Sequence, residues 1–161
     1  MDGNELAKGI RQKADEFKNA YSGVDEATAS RAPEGRWSPK EVVSHLIGSR
    51  EGGMLLMFKA FVEQDTPTLD LQGGNAHFTA DRAGMSLSEL LAEFEKRYAD
   101  LADFIAGLSP EQLERKAHIP ALKESPMGEY PSLGVFVGAL AEYHLKFHID
   151  HVKEILEALR K

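Results

Sequence analysis

Apolar residues recur at intervals of three and four through most of the chain, and no stretch alternates convincingly with period two, so the pattern predicts helices. A first helix is expected from about Glu5 to Tyr21, where Leu6, Ile10, Ala14, Phe17 and Tyr21 form one stripe and Gly23 stops it. A helical turn near Asp25 to Ser30 and a Pro- and Gly-containing loop, Ala32 to Arg36, follow. The second helix opens on Ser38-Pro39-Lys40-Glu41, which combines an N-cap serine, proline at the first helical position and a glutamate in capping-box register. It is expected to run through His45 to about Val62, with Gly52 and Gly53 inside it at a cost of about 1 kcal/mol each relative to alanine. In that register Ser49 and Gly52 fall within about 40° of His45, so the wall beside the histidine reads as small side chains. Such a wall suits a ligand cavity or close packing against a bulky neighbour equally well.

Residues 64–84 are rich in Gly, Thr, Asp and Asn and form the longest stretch without periodicity, a length usually functional or mobile. A third helix starts at Ser86 or Ser88, with Glu89 in capping-box register to Ser86, carries Leu90, Leu91, Phe94, Tyr98, Leu101 and Phe104, and stops near Gly107. Ser109-Pro110-Glu111-Gln112 announces a short extra helix, and the prolines and glycine between Lys116 and Pro131 predict an irregular segment. The last helix spans about Ser132 to Arg160. Together these elements predict one all-α domain over residues 1–161: an antiparallel four-helix bundle with long connections and one or two short extra helices.

The last helix is unusual in its apolar face. At about 100° per residue, Leu133, Val137, Leu140, His144, His148, His151, Ile155 and Leu159 share one stripe, with Glu142, Lys146, Lys153 and Glu157 opposite. The register thus predicts three imidazoles at positions where core leucines belong. An unpartnered buried imidazole costs about 1–3 kcal/mol, so a metal ion or a wet polar pocket is needed to engage them. Histidines four apart on a helix stand one above the other, so His144 and His148 can grip one ion from a single helix. An open site takes a third protein ligand, and His45, near the start of a helix lining the same core, is the candidate.

Composition narrows the chemistry. A chain of 161 residues can bury a sizeable core and needs no structural metal merely to fold. The absence of cysteine excludes a disulfide framework, a thiolate metal site and a cysteine nucleophile. With a formal charge of −7 and both signs interspersed there is no basic stripe for nucleic acid or an anionic membrane. No apolar run reaches the about 18 residues of a membrane span, and the opening residues lack the apolar core of a signal peptide, so a cytoplasmic protein is expected.

Two segments then resemble a known family. Trp37-Ser38-Pro39-Lys40-Glu41-Val42-Val43-Ser44-His45-Leu46 is similar to the WSxxEVxxHL segment of the DinB-like superfamily of metal-binding four-helix bundles. His144-Leu145-Lys146-Phe147-His148-Ile149-Asp150-His151-Val152 is similar to its HxxxHxxHI or HxxxHxxQI segment, about a hundred residues later, as the family pattern has it. The resemblance implies that His45, His144 and His148 are metal ligands and that His151 lines the pocket or relays protons from a position behind them. A second register, with His151 as a ligand, would put Phe147 where the first ligand belongs, and Phe147 cannot coordinate.

The resemblance implies a divalent ion, zinc or nickel with iron also suited to three nitrogens. It also implies a small-molecule substrate and either of two chemistries, hydrolysis or transfer of a low-molecular-weight thiol cosubstrate as in the bacillithiol- and mycothiol-dependent transferases. The competing class is a non-catalytic, stress-related bundle that binds a metal or ligand. A homodimer through an exposed bundle face is a further expectation. Other residues attract plainer readings. Glu41 is explained by its capping box and Trp37 by anchoring the helix start, while His77 in the long loop and His118 before Pro120 read as loop histidines.

Overall fold

The computed structural model describes residues 1–71 and 74–161; the predicted irregular stretch 64–84 therefore includes two positions, 72 and 73, outside the described residues. Helix α1, Gly3–Asn19, is capped by Asp2, whose carboxylate accepts from the Glu5 amide while Glu5 returns the bond to the Asp2 amide. It packs along α6, Leu87–Ala106, which starts at Ser86 with the expected capping box to Glu89. Phe17 of α1 meets Phe94 of α6 with ring centroids 4.8 Å apart, and Leu6, Ile10, Leu90, Leu101 and Ile105 fill the rest of this seam. A Cβ at Gly3 would overlap the Ile105 carbonyl, so glycine permits the close approach of the two helices at this end.

Helix α3, Pro39–Ile47, has the cap predicted for it, with Ser38 and Glu41 exchanging side-chain and backbone bonds. The continuation to Val62 is not observed. The chain leaves the helix after Ile47, turns through Gly48, Gly52 and Gly53 at φ of 79°, 129° and 56°, and resumes as α4, Met54–Glu63. Three successive glycine conformations in the left-handed half of φ space are incompatible with a continuous helix. Arg97 of α6 stabilises the break by donating to the carbonyls of Ile47, Ser49 and Arg50. Two buried tyrosine hydroxyls fix α3 on the bundle: Tyr21 donates to the Pro39 carbonyl at 2.7 Å and Tyr98 to the Leu46 carbonyl at 3.1 Å.

The C-terminal rod runs from α8, Leu133–Ala139, through a π-helical turn, Leu140–Leu145, into α9, Lys146–Leu159. A π turn inserts one residue into the helical repeat and rotates all that follows. In consequence Leu145, Ile149, Val152 and Ile155 continue the buried ladder from Leu140, and the histidines lie on its flank. The prediction that all three replace core leucines is corrected accordingly: His148 is 5% exposed, His151 is half-buried and His144 is exposed.

The short connecting helices are α2, Glu26–Ala29, α5, Ala80–Ala83, and α7, Pro110–Leu113, with a 3-10 turn at Pro120–Leu122. Helix α5 falls inside the stretch expected to be irregular. Among the described residues there is no strand, only isolated bridges that pair Thr68 with His118 and Lys116 with Ser132. The architecture is the predicted four-helix bundle, with α3 and α4 together filling the place of one helix. Among the described residues no helix is long and apolar enough to cross a membrane.

Candidate metal centre

Because α3 packs against α9, the last turn of one lies beside the histidine flank of the other. His45 from α3, His144 from the π turn and His148 from α9 each offer a ring nitrogen, and these nitrogens all lie within 4.8 Å of one another. The ring centroids are 4.6 Å apart for His45 and His148, 4.8 Å for His144 and His148, and 5.4 Å for His45 and His144. The three residues proposed as ligands from spacing therefore converge. Two imidazoles at about 2.1 Å from one ion stand roughly 3–3.5 Å apart in tetrahedral geometry, so small side-chain rotations bring the set to bonding distance.

At His45 a hydrogen bond settles which nitrogen remains available. The Nδ1 of His45 lies 2.7 Å from the Asn75 carbonyl oxygen. A carbonyl can only accept, so Nδ1 carries the hydrogen and Nε2 keeps a free lone pair for a metal. His148 and His151 share a contact of 3.2 Å between their Nδ1 atoms. When His148 donates in that contact, its Nε2 is likewise free and His151 is the acceptor. Imidazole nitrogens are suitable donors for zinc, nickel and iron, so this donor set fits a divalent transition ion.

The environment favours the neutral form of His148 and His144. Burial pulls the pKa of His148 down to about 3, with His144, His45 and His151 around it adding like-charge repulsion. His144 is lowered first by desolvation among packed atoms and then by His45. Its exposure to solvent at the rim tempers that effect, so His148 is the firmer case. Among the described residues no carboxylate is hydrogen-bonded to any of the three.

Around the triad the structure distributes the other residues. Trp37 stands 5.2 Å from the His45 ring and 6.0 Å from the His151 ring, while Phe147, 62% exposed, lies 5.0 Å from His148 and 5.7 Å from His151. Trp37 thus serves as a wall of the site as well as an anchor for α3. Glu41 is spent on its cap. The helical register that would align Ser49 and Gly52 with His45 is lost, because α3 ends at Ile47. Arg50 pairs with Asp81 at 2.9 Å, and Tyr143 is exposed.

His77 is half-buried with φ of 51°, and desolvation, Arg82 and His45 lower its pKa. His118 is engaged elsewhere by Glu129. Sequence reasoning missed Asn75, Ser44 and Arg82. The Ser44 hydroxyl donates to the His77 carbonyl at 3.0 Å, and Arg82 donates to the Ser44 carbonyl, the Ser44 hydroxyl oxygen and the His77 carbonyl. Asn75 reaches His45 through its main-chain carbonyl, which leaves no signature in the sequence; Ser44 and Arg82 had only their adjacency to the histidine segment and the long loop to betray them.

Comparison with known proteins identifies the family and the fold. The sequence matches the DinB superfamily across residues 10–155. The structure is similar to that of a Bacillus subtilis protein, YfiT, described as a probable metal-dependent hydrolase with an unusual four-helix bundle topology. That match has a TM-score of 0.79 at 20% sequence identity and covers 98% of this chain and 87% of the other. No curated protein matches the chain significantly.

Proposed function

The chain belongs to the DinB superfamily, and from that membership we propose that it is a divalent-metal-dependent hydrolase of a small molecule, with His45, His144 and His148 as the metal ligands. The observation that carries the reading is the convergence of three imidazoles from separate elements to within 4.8 Å. The description of its structural relative as a probable metal-dependent hydrolase supports the same chemistry. A divalent ion held there supplies Lewis acidity to the water or thiol that reacts.

The chain's own residues supply the rest. His151 orients His148 through their Nδ1 contact and, half-buried at the site, takes up and releases protons. The Asn75 carbonyl fixes the His45 tautomer. Trp37 and the exposed ring of Phe147 border the site and favour a substrate with an apolar portion. Zinc and nickel are the ions favoured, with iron next.

Elemental analysis of the purified protein tests the reading. About one divalent ion per chain is expected, largely lost in His144→Ala and in His45→Ala, and full retention in both variants refutes the ligand assignment. A screen of hydrolysis substrates with loaded and chelated protein then tests the reaction class, and a parallel arm with a low-molecular-weight thiol and an electrophile tests thiol transfer. Activity that is indifferent to chelation would exclude both.

A further inference from the structure

We propose that Arg82 is a positioning residue for the metal centre: through Ser44 and the turn at His77 it holds the Asn75 carbonyl on His45 and so selects the tautomer that presents Nε2. The inference rests on the reading of His45 as a metal ligand. It starts from an anomaly, an arginine only 6% exposed with no carboxylate hydrogen-bonded to it among the described residues, Glu93 acting on it only through space. A guanidinium stripped of water is costly unless its hydrogens are well engaged. The neighbouring Asp81 is spent on Arg50, so it does not neutralise Arg82.

What Arg82 grips instead is informative. Its Nη1 reaches the Ser44 carbonyl at 3.1 Å, the Ser44 hydroxyl oxygen at 3.2 Å and the His77 carbonyl at 3.4 Å. Ser44 immediately precedes His45 and is itself fully buried. The His77 carbonyl also accepts from the Ser44 hydroxyl at 3.0 Å and from the Thr79 amide at 3.0 Å, so three donors fix one oxygen. Two residues back, the Asn75 side chain accepts from the His77 amide at 2.9 Å, which closes a tight turn. His77 adopts the left-handed backbone region within that turn, a conformation a non-glycine residue keeps only where its surroundings impose it.

The tight turn leaves the Asn75 carbonyl on His45 Nδ1 at 2.7 Å. The route from Arg82 to His45 therefore runs through hydrogen bonds joined by the backbone of the 75–77 turn, and crosses from the long loop to α3. Outer partners of this kind fix ring orientation and tautomer, and their loss typically weakens metal binding about 10- to 100-fold.

The test uses the full chain and two readouts. Long-range proton–nitrogen correlation spectra of the metal-free protein report which His45 nitrogen bears hydrogen. Zinc(II) titrated in competition with a chromophoric chelator gives the dissociation constant. In wild type the hydrogen is expected on Nδ1. In Arg82→Met the His45 signal is expected to shift toward the other tautomer and the zinc dissociation constant to rise about 10-fold or more, with Arg82→Lys recovering most of both.

An unchanged His45 tautomer in folded Arg82→Met overturns the proposal, whether or not zinc binding weakens, since general loosening alone can weaken it. If Arg82→Met loses its helical signal, Ser44→Ala, which removes the hydroxyl's bonds to Arg82 and to the His77 carbonyl, is judged by the same two readouts. A wild-type chain that binds no zinc or other divalent ion would refute the proposed function, while the tautomer result would still decide this inference.

Discussion

Two groups of histidines in this protein differ in what surrounds them. At His118, the Glu129 carboxylate lies 3.0 Å from Nε2, the Tyr130 ring stacks on the imidazole at 4.6 Å and 14°, and the Thr68 hydroxyl lies 3.5 Å from Nδ1. Both ring nitrogens face a partner, and the residue pins the segment before α6 to the irregular stretch before α8. At His45, His144 and His148 no carboxylate is bonded among the described residues, and the nitrogens left over face one another. Burial and like neighbours pull the His148 pKa down to about 3. The same side chain is a structural tie where its nitrogens are used, and under the proposed function it is a ligand where one is left free.

The sharpest way to break that contrast is to delete one member of each group. His148→Ala should weaken zinc binding beyond the about 100-fold that bounds the loss of an outer partner, whereas His118→Ala should leave it unchanged in the same chelator competition. Equal effects in the two variants would show that the groups are not functionally distinct. A second difference appears in acid. A base whose folded pKa is depressed stabilises the fold above its unfolded value of about 6.5, and that contribution is lost as pH falls toward about 3. The metal-free protein should therefore lose stability in urea titrations between about pH 6.5 and 3, by about 1 kcal/mol per pH unit from His148. His148→Phe, which cannot titrate, should show a shallower slope; an identical slope would place the acid sensitivity elsewhere.

The sequence disclosed the members of the ligand group more readily than it disclosed their supports. Ser38 with Glu41, Ser86 with Glu89 and Ser109 with Gln112 declare helix starts because capping is a local exchange of bonds, and all three boxes form. The histidine spacing points to two candidate ligands on one helix and the logic of facing helices to the third, and the three side chains converge. The break after Ile47 is hidden because glycines are tolerated inside a helix at modest cost, whereas here Gly48, at φ of 79°, ends α3, and Gly52 and Gly53 carry the turn that follows into α4. The π turn was hidden because one inserted residue leaves the apolar spacing almost intact while rotating His144 out to solvent.

The break is testable too. A Cβ on Gly53 would lie 2.8 Å from the Ile47 carbonyl at φ of 56°, so Gly53→Ala should cost about 1–3 kcal/mol in urea unfolding. A neutral result would mean that the turn between α3 and α4 relaxes freely.

The smallest expected effect lies at the structural tie. His118 and Glu129 are each about one-third accessible at the side chain, 27% and 35%, so their attraction is screened by water and salt. A double-mutant cycle of His118→Ala and Glu129→Ala should give a coupling below about 1 kcal/mol, falling further in high salt. Stacking on Tyr130 survives in Glu129→Ala, so that single variant should be milder than His118→Ala, which loses the ring as well. A large coupling that resists salt would mean that His118 is held as tightly as the buried group. The division between spent and surplus nitrogens would then need a different physical basis from burial and partner chemistry.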